Sequence, residues 1–277
     1  MGTSMDLRKC FNAISDVITN RPKPLREFDQ IYMKAADMLL QTDHISKWFN
    51  DKDIVFIGDG DAISLCSVYL HSSGLIECGP RSVFVLDFDE RIILSIKEFA
   101  KKYGVEDRVN GALYNVANPL PKDYWERFNA FYSNPPFGAS NEGKSIEAFQ
   151  TRAIEAVGVD AVGCLVIADY DALDWTRKVL FKTQRMLIES GFVIREMLPE
   201  FHRYHLDDTP ELTSCSIIVR RLDYTKRNYE SKGLDKDMMK NFYGQELALN
   251  IAYIRDLTNG GKLPSRDHIL EPMKGVY

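Results

Sequence analysis

Residues 53–70, DIVFIGDGDAISLCSVYL, decide the fold. Positions 53–59 form a short apolar run with β-branched side chains that ends at Gly58, the mark of a buried strand. Positions 62–73 then read as a helix. The same alternation runs on. Strands are expected over 82–87, 109–115, 128–133 and 161–168, and helices over 90–103, 145–157 and 174–190, the last closing at Gly191. Strands over 192–198 and 214–221 follow. Repeated strand–helix alternation implies a parallel sheet covered by helices on both faces. The last two strands lack a helix between them, so they should pair antiparallel.

Outside this block the chain changes character. Helical spacing marks 6–18 and 32–49, with the extended connector RPKPLREFDQ between them. The polar segment 223–277 is mostly helical in pattern and ends in coil. Three units result: a helical extension over 1–50, a catalytic domain over 51–222 and a helical tail over 223–277.

Composition limits the function classes. The chain has 277 residues, 45% hydrophobic and 27% charged, which suits a folded protein with a full core. No apolar run nears the roughly 18 residues a membrane span needs, and the start has no apolar signal region. A cytoplasmic protein without a membrane partner is expected. Five scattered cysteines without a CxxC pair argue for reduced thiols, against both a disulfide framework and a zinc cluster. The net charge is −5, but residues 53–221 carry 18 basic and 25 acidic side chains. An acidic centre disfavours a broad phosphate-binding face and suits a cationic substrate.

Three motifs fall at strand ends, where open α/β sheets bind ligands. Gly58-Asp59-Gly60-Asp61 opens a helix after the first strand. Its carboxylates would repel a pyrophosphate and favour a ligand with an amino group or a sulfonium. The plain alternative is a strand–helix turn with Asp61 as the N-cap. Asp87 ends the second strand, where an acid can accept two ribose hydroxyls. Phe88 beside it can lie on a purine face, and Asp89 reads as a helix cap. Asn134-Pro135-Pro136-Phe137 follows the fourth strand. An Asn side-chain oxygen and a neighbouring carbonyl can together accept both hydrogens of an amino group, while Phe137 offers a flat wall. A Pro-rich turn over a buried Phe is the alternative.

These residues resemble the class I S-adenosylmethionine-dependent transferases. The resemblance implies an α/β fold: a Rossmann-like, seven-stranded, mostly parallel sheet with a C-terminal antiparallel hairpin, plus helical N- and C-terminal extensions. SNPPFGASNEGKS looks like the catalytic loop of adenine N6-type methyltransferases. FDQIYMKAADMLL resembles their cofactor-clamping segment, which places Gln30 and Tyr32 near the methionine moiety. Gly58, Asp59, Gly60, Asp61, Asp87, Phe88 and Asn115 complete the implied cofactor set. A longer resemblance, from about Arg21 to Arg221, is to the branched-chain polyamine synthases, which use decarboxylated S-adenosylmethionine. It rests on RPKPLREFDQIYM, IVFIGDGDAISL, FVLDFDERI and PLPKDYWERFNAFYSNPP. That family shows Gly-Asp-Asp-Asp and Asp-Pro-Pro where this chain has Gly58-Asp59-Gly60-Asp61 and Asn134-Pro135-Pro136.

The expected activity is therefore N-methylation of a planar acceptor by S-adenosylmethionine, with aminopropyl transfer as the alternative. A non-catalytic module on the same fold is the third reading. The acceptor can be a nucleobase, a peptide or a small molecule. A nucleic acid would need basic contacts from Arg21, Lys23 and Arg26, from the tail, or from a partner subunit. A homo-oligomer stays open. Asp169, Asp171 and Tyr204 are expected at the acceptor, with Asp174 as a helix cap. His202 and His205 are expected in a solvated or substrate-facing loop, and no metal is expected.

Overall fold

The computed structural model describes residues 6–222, 230–244, 250–257 and 268–273. Seven strands form one sheet: β1 (Asp53–Ile57), β2 (Ser82–Asp87), β3 (Val109–Leu113), β4 (Phe128–Ser133), β5 (Val157–Ala168), β6 (Phe192–Arg203) and β7 (Thr213–Arg221). Their order is β3-β2-β1-β4-β5-β7-β6. β1 pairs in parallel with both β2 and β4, while β7 runs antiparallel to β5 and β6. The expected seven-stranded, mostly parallel sheet with a C-terminal antiparallel hairpin is the observed one. Strand order reverses at β1, so a crevice opens at the carboxyl ends of β1 and β4.

The helices are α1 (Leu7–Asn20), α2 (Ala35–Trp48), α3 (Ile63–Ser72), α4 (Glu90–Tyr103), α5 (Lys144–Ala156) and α6 (Asp174–Glu189). Period-2 alternation along each strand splits the core in two. In β1, Ile54 and Phe56 pack with α1 to α4, and Val55 and Ile57 pack with α5 and α6. β4 divides the same way, with Tyr132 on the first face and Phe131 on the second.

Several local expectations are corrected. α2 begins at Ala35, because residues 32–34 are drawn out as a strap whose Met33 bridges Tyr204. α3 is capped by Asp59 and not by Asp61: the Asp59 carboxylate accepts the N–H groups of Ile63 and Ser64. Asp174 is the first residue of α6 and pairs with Arg177 instead of capping. β6 runs on to Arg203, so His202 lies in a strand and not in a solvated loop.

The tail is the largest departure. Its described residues hold no helix; they form turns and an antiparallel pair, β8 (Ile251–Asp256) with β9 (His268–Pro272). Residues 223–229, 245–249, 258–267 and 274–277 of the expected helical tail lie outside the described residues. The reason is tertiary. Ile254 N–H donates to the Phe88 carbonyl at 3.1 Å, and Arg255 pairs with Glu90. β-Branched and aromatic side chains suit that extended docking better than a helix. Among the described residues, no helix is long and apolar enough to cross a membrane.

Candidate functional site

A cleft of about 720 Å³ opens at the carboxyl ends of β1, β2 and β4. Gly58 to Asp61 form its floor. Gly58 takes φ +73°, and a Cβ there would meet the Phe149 ring at 3.0 Å; one on Gly60 would meet Tyr32 at 3.1 Å. Both glycines keep the backbone open to a ligand and let the neighbouring rings close in.

Asp87 Oδ2 accepts Asp59 N–H at 3.0 Å and its Oδ1 accepts Asp89 N–H at 2.9 Å. Burial, reinforced by the Asp89 charge, pushes the Asp87 pKa up to about 7. Burial also raises Asp59, well above the ordinary carboxylate range, although Ser64 opposes it. Asp61 accepts Met33 N–H at 2.6 Å, lies 3.6 Å from the Arg21 guanidinium and accepts from Asn134 Nδ2 at 2.9 Å. Its pKa is raised by burial, with Arg21 as the main opposing influence.

The segment before α2 closes one wall. Gln30 lines the cleft, but its amide is engaged: Nε2 donates to Asp89 at 2.9 Å and Oε1 accepts Leu25 N–H at 2.8 Å. Tyr32 lines it too, its hydroxyl on the Pro22 carbonyl and its ring 4.1 Å under Arg21. Phe88 reaches the cleft with Phe28 and Tyr243, and its ring stacks on Tyr243 at 5.4 Å.

Of the expected site residues, the cleft unites Gln30, Tyr32, Gly58, Asp59, Gly60, Asp61, Asp87, Phe88, Asn134 and Pro136. The others lie elsewhere. Asn115 donates to the carbonyls of Ile251 and Ala252 and so ties down β8. Pro135 is not among the lining residues, and Phe137 packs edge-on against Tyr204, with centroids 5.7 Å apart. The Asp169 carboxylate accepts Glu200 N–H, and Asp171 is exposed away from the cleft. Tyr204 is buried and bonds to Ser214. His202 is fully buried between Ser214 and Gln41. Arg21 is buried against Asp61 and Tyr32, so it offers no phosphate contact. Among the described residues, no cluster of three potential metal ligands occurs.

Among the lining residues that escaped the sequence reading are Asp29, Tyr132 and Tyr243. Asp29 adopts φ 56° and is raised by burial to about 6; it sits beside Gln30 in FDQIY, where the motif pointed. The Tyr132 hydroxyl is buried without a hydrogen-bond partner and lies two residues before Asn134. Tyr243 comes from the tail, and no local signal announced it.

Among the described residues, four aspartates (Asp29, Asp59, Asp61, Asp87) line the cleft, and no Lys, Arg or His does. Buried anionic groups beside an aromatic wall can hold a cation that carries a flat ring system. The unpartnered Tyr132 hydroxyl is one more polar group available to it.

The branched-chain polyamine synthase A C-terminal domain family matches residues 9–256. The chain is similar to N(4)-bis(aminopropyl)spermidine synthase of Thermus thermophilus, 29% identical over 189 residues, or 66% of this chain and 50% of that protein. The chain spans about half or less of the length of the curated relatives it matches. In structure it is similar to the C9 mutein of the Thermus thermophilus branched-chain polyamine synthase, solved with N4-aminopropylspermidine and 5'-methylthioadenosine. The TM-score is 0.69 at 22% identity, covering 86% of this chain and 70% of that one. A Pyrococcus horikoshii protein provisionally described as an RNA methyltransferase shares the fold at TM-score 0.55 and 15% identity, covering 78% of this chain and all of that one. The fold is thus one shared with the polyamine synthase and with that protein.

Proposed function

Since the chain belongs to the branched-chain polyamine synthase A C-terminal domain family, we propose that it transfers an aminopropyl group from decarboxylated S-adenosylmethionine to an amine nitrogen of a polyamine. The observation that carries this reading is the cleft's charge: four aspartates and, among the described residues, no cationic side chain in its lining. Intact S-adenosylmethionine would bring its own carboxylate among them without a counter-ion. The decarboxylated form keeps only the sulfonium and the ammonium, so every charge it brings meets an opposite one.

Asp87 would accept the ribose hydroxyls. Phe28, Phe88 and Tyr243 would flank the purine, and Asp59 with Gly58 and Gly60 would hold the aminopropyl end. When bound, the donor supplies an electrophilic carbon: the nitrogen–carbon bond forms as the carbon–sulfur bond breaks, with the electron pair staying on sulfur. The incoming amine must lose a proton. Asn134 stands over the cleft to accept an amine N–H, and Asp61 Oδ2 beside it can take the proton, since burial raises its affinity for one. Methyl transfer to a planar nitrogen draws support from Asn134 standing where the family shows Asp. It loses its wall, because Phe137 is turned into Tyr204.

Calorimetry with both forms of the donor tests the reading. Decarboxylated S-adenosylmethionine is expected to bind at least about tenfold tighter, roughly 1.4 kcal/mol. With a spermidine-class acceptor, mass spectrometry should find a product heavier by one aminopropyl group. Tighter binding of intact S-adenosylmethionine would instead support methyl transfer.

A further inference from the structure

Asn115 follows β3 at the cleft end of the sheet, yet it is fully buried and does not line the cleft. Its Nδ2 donates to the carbonyls of Ile251 at 3.1 Å and Ala252 at 2.8 Å, and its Oδ1 accepts Ala117 N–H at 2.9 Å. Both hydrogens and the oxygen of the amide are therefore engaged, and no donor is left for a ligand. Asn115 holds one end of β8. Glu90 holds the other: its Oε1 lies 3.2 Å from Arg255 Nη1, and its Oε2 accepts Asp256 N–H at 2.9 Å. Between the two clasps, Ile254 is fully buried and its N–H donates to the Phe88 carbonyl at 3.1 Å.

The peptide group that receives this bond also organises the cleft. Its carbonyl belongs to Phe88 and its N–H to Asp89, and that N–H donates to Asp87 Oδ1 at 2.9 Å. A peptide group is planar and rigid. One plane thus joins β8 to the carboxylate that would take the ribose hydroxyls. The Phe88 ring leaves from the same residue, stacked on Tyr243 at 5.4 Å and edge-on to Phe28 at 5.6 Å. Turning the plane moves the acid and the ring together.

We propose that Asn115 and Glu90 are positioning residues for the nucleoside part of the donor: they clamp β8 on the peptide between residues 88 and 89, which sets the Phe88 ring and the Asp87 carboxylate before the donor arrives. A site held ready has less to order on binding and so binds tighter. This rests on the reading of Asp87 and Phe88 as the ribose and purine contacts, and not on which group the donor transfers. Neither Asn115 nor Glu90 lines the cleft, so both act through β8.

The test uses Asn115→Ala, Glu90→Ala and the double variant. Glu90 is part-exposed at the start of α4, so its loss leaves the core intact. In the unliganded protein, hydrogen exchange of the Ile254 amide should speed up in each variant. Calorimetry with 5'-methylthioadenosine, the part that both forms of the donor share, should show each single change weakening binding about fivefold to tenfold. The decarboxylated donor should weaken by the same factor. The double variant should bind no worse than the weaker single one, because both act through one strand. With a spermidine-class acceptor and saturating donor, kcat and the acceptor KM should stay unchanged. Faster Ile254 exchange with unchanged 5'-methylthioadenosine affinity would make the clasps merely structural and overturn the proposal. So would weaker binding in Asn115→Ala but not in Glu90→Ala at equal Ile254 exchange, since Asn115 would then touch the ligand itself. Wild-type protein that prefers intact S-adenosylmethionine overturns the aminopropyl-transfer reading instead, and 5'-methylthioadenosine still decides the role of β8.

Discussion

The four aspartates at the ends of β1 and β2 are all buried, yet they fall into two kinds. Asp61 and Asp89 each face a buried guanidinium, Arg21 at 3.6 Å and Arg91 at 2.6 Å. Asp59 and Asp87 have only N–H groups and, for Asp59, the Ser64 hydroxyl. The first kind is mortar. Arg21 comes from the end of α1 and Arg91 from α4, and with Gln30 on Asp89 they fasten the N-terminal strap across the sheet. The second kind has no cation beside it, so burial drives its members towards the protonated form in the free protein. Burial alone therefore does not mark a binding carboxylate; burial without a cation does.

The largest effect should come from breaking the mortar. Arg21→Met strands Asp61 in the interior, and losing one member of a buried pair costs about 3–5 kcal/mol. Urea denaturation should show the loss directly. A loss under about 1 kcal/mol would mean that Arg21 does not compensate Asp61 and that the two kinds are one.

Asn134 sits between them, bonded to Asp61 but open to the cleft. Asn134→Ala should cut turnover at least about a hundredfold while donor affinity stays within about tenfold, because its role belongs to the acceptor in the transition state. Steady-state kinetics and calorimetry separate the two. Lost donor binding would move Asn134 into the donor half of the site.

This division of labour was only partly legible in the sequence. Strand identity was, because runs such as residues 53–57 and 162–168 are apolar on both faces and need a double-sided core. The glycine-acid turn, Asp87 and Asn134 were legible because they sit at strand ends, where chain order already implies a crevice. The pairing of each acid was not. Arg21 lies 40 residues from Asp61, and only the closed strap brings them together. The same holds for Asn115, which looks like a ligand-facing residue at a strand end until β8 arrives from 136 residues away to take its amide. His202 looked like a loop residue because β6 continues past Pro199 with a register shift. The tail misled most, since its pattern is helical while its docking edge is the Phe88 carbonyl.

Asp87→Asn separates the two kinds more finely. It should weaken the decarboxylated donor by about 1.5–3 kcal/mol, the size of a charge-assisted hydrogen bond. It should leave the unliganded protein as stable as before or slightly more so above pH 7, where the buried Asp87 carboxylate would otherwise be charged without a cation beside it. Arg21→Met and Asp87→Asn thus make opposite pairs of changes, stability in one and affinity in the other. An Asp87→Asn protein with unchanged donor affinity would take Asp87 out of the site.

The smallest effect is a pH dependence, and its sign is fixed. Asp87 has a folded pKa of about 7 and Asp29 one of about 6, both above the ordinary 3.8. Between those limits the folded, unliganded protein binds more protons than the unfolded chain. These two groups therefore stabilise it most at low pH, and that contribution is lost as pH rises through about 6 to 7. A cationic donor works the other way, because it prefers the ionised carboxylates. Its affinity should rise about tenfold between roughly pH 5.5 and 7.5 and then level off. Calorimetry near pH 6.5 in buffers of different ionisation enthalpy should record proton release on binding. Proton uptake would mean that the ligand meets neutral carboxyls, and Asp59 and Asp87 would then need no cation to explain them.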